Sequence, residues 1–199
     1  PLAFDNVQCL ACGRTLAFAP DSLTMVALEP ADAPTWTRLG DPMRAPRRLC
    51  ANYVGPAICN WLAPPDGEYC VSCALTREIP DLSVDGNLAR WARIEAAKRR
   101  LVYGLLALRL PFDDAEARGL HFSFLADTPA QHVVTGHDNG RVTLSIAEAD
   151  EATRAQTRES LGEPYRTLLG HLRHESGHYY WTRLVDGRPA HARFRDIFG

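Results

Sequence analysis

Gly170-His171-Leu172-Arg173-His174-Glu175-Ser176-Gly177-His178-Tyr179-Tyr180-Trp181 is the stretch on which the reading of this chain turns. It contains His174-Glu175-x-x-His178. On a helix, residues i and i+4 share one face, so the two imidazoles can reach a single metal ion. Glu175 stands about 100° further around the axis, beside the metal rather than on it. A carboxylate there can take a proton from a metal-bound water, the general-base role in metal-assisted hydrolysis. The pattern predicts His174 and His178 as ligands of a catalytic zinc and Glu175 as its base. His171, one turn before His174 and on the same side, is expected to support the ligands from behind.

The surrounding residues favour a helix. Pro164 suits a first turn, and Glu163 places negative charge at the positive end of the dipole. Leu168, Leu172 and Tyr179 follow helical spacing, and Asp186-Gly187 followed by Pro189 makes a stop. Gly170 and Gly177 form a neighbouring stripe where another element can approach. The competing reading is a chance match on a helix surface, because the five-residue pattern is degenerate. Four functional side chains on one face, followed by an aromatic run, weigh against it.

At 199 residues the chain can bury one or two cores. It is 46% hydrophobic with a formal charge of -2, which argues against nucleic-acid binding driven by bulk charge. No apolar run is long enough to span a bilayer, so no membrane role is expected, and no signal-peptide pattern opens the chain. Six cysteines, Cys9, Cys12, Cys50, Cys59, Cys70 and Cys73, all fall within the first 73 residues. An even count is compatible with three disulfides. Two C-x-x-C pairs without a secretion signal point instead to zinc thiolates in a reducing compartment, hence to the cytoplasm.

Residues 1–80 are rich in Pro and Gly and poor in periodicity, so zinc is expected to supply much of their folding energy. Cys9-Leu10-Ala11-Cys12-Gly13 and Cys70-Val71-Ser72-Cys73 are knuckles whose two thiolates can share one tetrahedral ion. Two divisions of the six cysteines remain open. Cys50, Cys59, Cys70 and Cys73 close one site and leave Cys9 and Cys12 to find ligands elsewhere, or the two knuckles pair and leave Cys50 and Cys59 as thiols.

After a linker around Asp85-Gly86-Asn87, a long amphipathic helix is predicted from Leu88 to about Leu110. Trp91, Ile94, Leu101, Leu105 and Leu108 should face inward, with Pro111 ending the helix. Glu95 and Arg99 are assigned to its wet face, and Lys98-Arg99-Arg100 to a solvated surface. Strands are expected at His121 to Leu125, His132 to Thr135 and Arg141 to Ile146, the last two joined at Asn139-Gly140 as a hairpin. His121, His132 and His137 are set aside as surface or packing histidines. Residues 147–161 read as a polar connecting loop or helix.

The ordered set of these motifs resembles a bacterial family of zinc-binding metallopeptidases that carry an N-terminal zinc-ribbon domain. The residues behind this are Cys9-Leu-Ala-Cys12-Gly13, Cys59-Asn60-Trp61-Leu62, Cys70-Val-Ser-Cys73 with Ile79-Pro80-Asp81-Leu82, and Ala97-Lys98-Arg99-Arg100-Leu101. They continue with Thr135-Gly136-His137-Asp138-Asn139-Gly140, Ile146-Ala147-Glu148-Ala149-Asp150, and Gly162-Glu163-Pro164-Tyr165-Arg166 leading into His174-Glu175-Ser-Gly-His178. The resemblance implies a zinc-ribbon-like module over 1–80 and the N-terminal part of a zincin-like α+β unit over 81–199, with long helices and a short antiparallel sheet. It also implies two departures: members carry a further C-x-x-C ahead of the segment matching Pro1, and they continue past Gly199 into a region supplying a third zinc ligand. By that measure the chain is a piece of a larger protein.

The leading expectation is a zinc-dependent peptidase with one catalytic and at least one structural Zn2+, acting on a peptide or protein that pairs with the edge of Arg141 to Ile146. His191 and Asp196 are near in sequence but lack the spacing of a compact third ligand. The alternative is a non-catalytic module whose ribbon binds a protein partner and whose helix site is structural or degenerate; ligand number separates the two. Nucleic-acid binding through the ribbon is the weakest reading, because Lys and Arg do not cluster around the cysteines.

Overall fold

The computed structural model describes residues 2–112, 119–129, 132–151 and 167–199. The helix start expected at Glu163-Pro164, the motif around Tyr165 and most of the 147–161 connection lie outside the described residues. The chain divides into two compact units, Pro1–Leu75 with Ala92–Leu110, and Thr76–Trp91 with Pro111–Gly199. The fold is mixed helix and sheet, opening on a zinc-ribbon-like module.

In the first unit, β1 (Thr15–Ala19), β2 (Thr24–Pro30) and β3 (Trp36–Arg38) form an antiparallel sheet in that order. Successive side chains of a strand point to opposite faces, and β1 is buried on both. Ala17 and Ala19 pack with Leu28 and Leu62, while Phe18 packs with Trp61 and the buried cysteines. The Phe18 and Trp61 rings lie 4.4 Å apart, and Phe4 and Tyr103 add edge contacts. A short ladder pairs β4 (Arg48–Leu49) with β5 (Leu62–Ala63), and the single-turn helix α1 (Ala51–Val54) follows Cys50. This module therefore owns an aromatic core besides its thiols.

Helix α2 runs from Asn87 to Ala107. Trp91, Ile94, Leu101 and Leu105 are buried as expected, but Leu108 is 71% exposed because the helix has already ended. Arg109 there takes a positive φ of 54°. The wet-face assignment is overturned: Glu95 and Lys98 are fully buried and Arg99 nearly so. Lys98 Nζ donates to Glu95 Oε1 at 2.9 Å, and the Arg99 guanidinium donates to the Ile58 carbonyl. Only Arg100 of the basic triplet is exposed, paired with Asp5. Burial of these charges is possible because each has a partner that offsets part of its desolvation.

The second unit holds β6 (Thr76–Glu78), β7 (His121–Leu125), β8 (Gly136–Asp138) and β9 (Arg141–Ser145), in the sheet order β6-β7-β9-β8. The expected all-antiparallel sheet is corrected: β6 and β9 both run parallel to β7, and only β8 is antiparallel. Parallel neighbours need a long crossover, which the segment containing α2 supplies between β6 and β7. The strand expected at His132 to Thr135 begins instead at Gly136, nearer the turn. Val133 is buried, its N–H taken by Asp127 rather than by a strand partner. Asn139 and Gly140 adopt φ of 48° and 92°, the double left-handed conformation of a tight hairpin turn.

Helix α3 (Leu168–Tyr180) is capped by Thr167, whose hydroxyl accepts the Gly170 N–H at 3.0 Å. Leu172 and Tyr179 are buried and the helix packs on β8 and β9. It continues as a widened π turn over Trp181–Val185. Gly187 then breaks the chain with φ 63°, and α4 (Ala190–Phe198) follows. Pro189 thus opens the next helix rather than closing this one. A Cβ at Gly177 would meet open space, so no described element crowds the helix at that position.

Candidate functional site

Cys50, Cys59, Cys70 and Cys73 converge in the first unit, all buried, with their sulfurs within 4.8 Å of one another. Cys59 and Cys70 Sγ stand 3.7 Å apart. Four thiolates at about 2.3 Å from a tetrahedral ion are separated by about 3.8 Å, so the set has the dimensions of a zinc site. Backbone amides point at the sulfurs: Cys70 N–H at Cys50 Sγ (3.3 Å) and Cys73 N–H at Cys70 Sγ (3.4 Å). Burial pushes the Cys70 thiol up, a cost that a bound cation reverses. Cys73 lies below the ordinary thiol value; Cys50 opposes this, whereas Cys59, Cys70 and the Lys98 ammonium favour its thiolate. The buried lysine is thus also a countercharge to the cluster.

Of the two divisions of the cysteines, this is the one the fold assembles. Cys9 and Cys12 stand apart, half-buried and exposed. Their turn closes through Gly13, at φ 70°, whose N–H donates to the Cys9 carbonyl. The Arg14 amide and guanidinium hold the Cys12 thiol below its usual value. This is a two-thiolate knuckle.

In the second unit, α3 presents two pairs. His174 and His178 are exposed, with their Nε2 atoms 3.2 Å apart and their rings at 86°. Two imidazoles on one tetrahedral zinc, at about 2.0–2.1 Å each, would set their nitrogens about 3.3 Å apart. The pair therefore fits a shared ion. Glu175 is buried at 7% exposure on the adjoining face, where His171 Nε2 lies 3.2 Å from its Oε1. His171 Nδ1 reaches Glu148 Oε2 at 2.8 Å. Glu148 Oε1 accepts from Thr135 Oγ1, which itself accepts the Ser145 N–H. His171 thus serves Glu175 rather than the imidazole pair, and ties it through side chains to the end of β9.

His137, set aside in the sequence, lies against this helix. Its ring is 6.3 Å from that of His178 at an interplanar angle of 17°, and 6.4 Å from Tyr179. Its Nε2 accepts the Gly140 N–H at 2.9 Å. Burial, then the neighbouring His178, lower its pKa. The signal was present in Thr135-Gly136-His137-Asp138-Asn139-Gly140, where a histidine sits inside a tight hairpin. His121 and His132 keep bland roles, against the Gly119 carbonyl and the Asp127 carboxylate. His191 packs edge-on against Trp181 at 5.6 Å. Among the described residues, the four-cysteine cluster is the only metal-sized group of three or more ligating side chains, so no third group closes on His174 and His178.

A buried four-cysteine cluster and an exposed imidazole pair beside a tethered carboxylate are the two candidate metal-binding arrangements among the described residues. The family model described as "Putative zinc-binding metallo-peptidase" matches residues 87–199, and that of a zinc-ribbon domain matches residues 1–84. The chain belongs to that family. Uncharacterized proteins of Mycobacterium bovis and Mycobacterium tuberculosis are 42% identical to it over 205 residues. These matches cover 100% of this chain and 55% of each relative, so the chain spans about half the length of the curated relatives it matches. No solved structure matches the chain. No helix among the described residues is long and apolar enough to cross a membrane.

Proposed function

We infer that the α3 site is the hydrolytic centre of a zinc peptidase, with His174 and His178 as ligands and Glu175 as general base. The observation that supports this best is the 3.2 Å spacing of the two Nε2 atoms with Glu175 buried and tethered beside them. Zinc held there would supply Lewis acidity and a water of lowered pKa. Glu175 takes the proton from the attacking water at a carboxylate oxygen and returns it to the leaving amine. His171, braced by Glu148, fixes that carboxylate so that it does not swing onto the metal. A structural site would be closed by four protein ligands. Here two exposed imidazoles come together among the described residues, which favours an open centre.

The four-cysteine set holds a second, structural zinc in this reading, and Cys9 with Cys12 contributes to a further one. Residues 1–80 act as a ribbon module that can also engage a protein partner, residues 81–199 carry the chemistry, and the setting is the cytoplasm. The test uses the protein extended to the full length of its relatives, scored together for zinc content and cleavage of a peptide mixture. Glu175→Gln should keep its zinc while cleavage falls by about a hundredfold or more. His174→Ala should lose one equivalent of zinc. Undiminished cleavage by Glu175→Gln sinks the base assignment, and zinc loss in that variant makes Glu175 a ligand.

A further inference from the structure

The β8–β9 hairpin brings a further imidazole, His137, to α3, and its hydrogen bond fixes what it can do. The Gly140 N–H can only donate, so His137 Nε2 is the acceptor and carries no proton. A neutral ring with a bare Nε2 has its hydrogen on Nδ1. That nitrogen is then a donor, and a protonated nitrogen cannot ligate a metal. In keeping with this, His137 does not join His174 and His178 in a three-ligand group. The ring is held in place by the register His137↔Val142, by the left-handed turn at Asn139-Gly140, and by edge contact with Tyr179. Its ring lies near-parallel to that of His178, 6.3 Å away, beside one of the two proposed metal ligands.

We propose that His137 donates a hydrogen bond from Nδ1–H to an oxygen of the ligand on the His174/His178 metal. For a peptide substrate that oxygen is the scissile carbonyl, which gains negative charge as water adds. A donor fixed in advance against that charge favours the transition state over the bound ground state. This rests on the metal-centre reading above. It makes His137 a catalytic residue distinct from the ligands, the base and the residues that orient the base.

Two measurements test it, and the first needs no substitution. Nitrogen NMR of histidine-labelled protein should report His137 as the Nδ1–H tautomer; an Nε2–H ring overturns the proposal. The second titrates acetohydroxamate, an oxygen-rich metal binder, into the zinc-loaded protein at the full length of its relatives. His137→Phe should keep the zinc of the wild type and bind acetohydroxamate about ten- to a hundredfold more weakly. His137→Asn, whose side-chain amide nitrogen occupies the place of Nδ1, should stay within about threefold of wild type. Equal binding by His137→Phe makes His137 a packing residue, and zinc loss in folded His137→Asn makes it a ligand; either overturns the proposal. If His174→Ala leaves the zinc count unchanged, the metal-centre reading fails and takes this one with it. Intact His137-dependent acetohydroxamate binding without peptide cleavage would instead sink the peptidase reading alone.

Discussion

The four-cysteine cluster and the His174/His178 pair, the two candidate metal sites among the described residues, are built to opposite specifications. Four sulfurs in the first unit are buried and sit among Phe18, Trp61 and Val102, and those of Cys50 and Cys70 receive backbone N–H groups. Two imidazoles in the second unit are exposed on a capped helix, and the group beside them, Glu175, is the one that is buried. A closed set of four ligands gives its whole binding energy to folding and leaves no coordination position for chemistry. An open pair gives little to folding and leaves positions for water and substrate. On the proposed reading, burial of the ligands, rather than ligand type alone, separates scaffold from reactive centre.

The largest test of that contrast is metal removal. Graded chelator should first strip the helix site with little change in melting temperature, then the cysteine site with loss of amide protection across residues 2–75. Zinc at four thiolates is worth on the order of 10 kcal/mol to a small module, so Cys70→Ser should unfold the first unit while His178→Ala leaves it intact. A mild reductant should leave it folded; unfolding by reductant and resistance to chelator would mean disulfides. Equal loss of protection in both units on chelation would erase the contrast.

A middle-sized effect sharpens the closed side. Lys98→Met removes a fully buried ammonium that serves both Glu95 and the thiolate cluster. Losing one partner of a buried pair costs about 3–5 kcal/mol, to be read as a fall in denaturation midpoint. A change under about 1 kcal/mol would place that charge in an environment far more polar than its burial implies. The smallest effect lies on the open side. Thr167→Ala deletes the cap of α3 and should cost about 1 kcal/mol, frayed first at Leu168–Gly170 by hydrogen exchange, with zinc affinity only slightly reduced.

How much of this was legible in the sequence depends on distance along the chain. The α3 pairings span four residues, so His174 with His178 follows from helical spacing, whereas His171 was read with those ligands and the structure sets it against Glu175. The hairpin at Asn139-Gly140 was readable from the φ preferences of its two residues. The β1–β2 hairpin was missed although Leu16, Phe18 and Leu28 are buried, because Pro and Gly on either side masked a short strand signal. On α2, periodicity marked one apolar face and gave no sign that the charged face would also be covered.

What the amino-acid sequence determined by itself was local arrangement held within a turn or two: the knuckles, the His174/His178 helix face, the left-handed hairpin turn. Only the tertiary structure decided which four of six cysteines meet, since Cys50 and Cys59 reach Cys70 and Cys73 through the β4–β5 ladder and α1. It alone decided that β6 and β9 lie parallel to β7, a choice made by the crossover and not by any strand. And it alone placed His137 beside His178, 41 positions apart by their numbers in the chain. Local sequence fixes dihedral angles and helix faces. Contacts between distant segments are settled by which apolar surfaces can be buried together, a property of the whole chain that no short stretch carries.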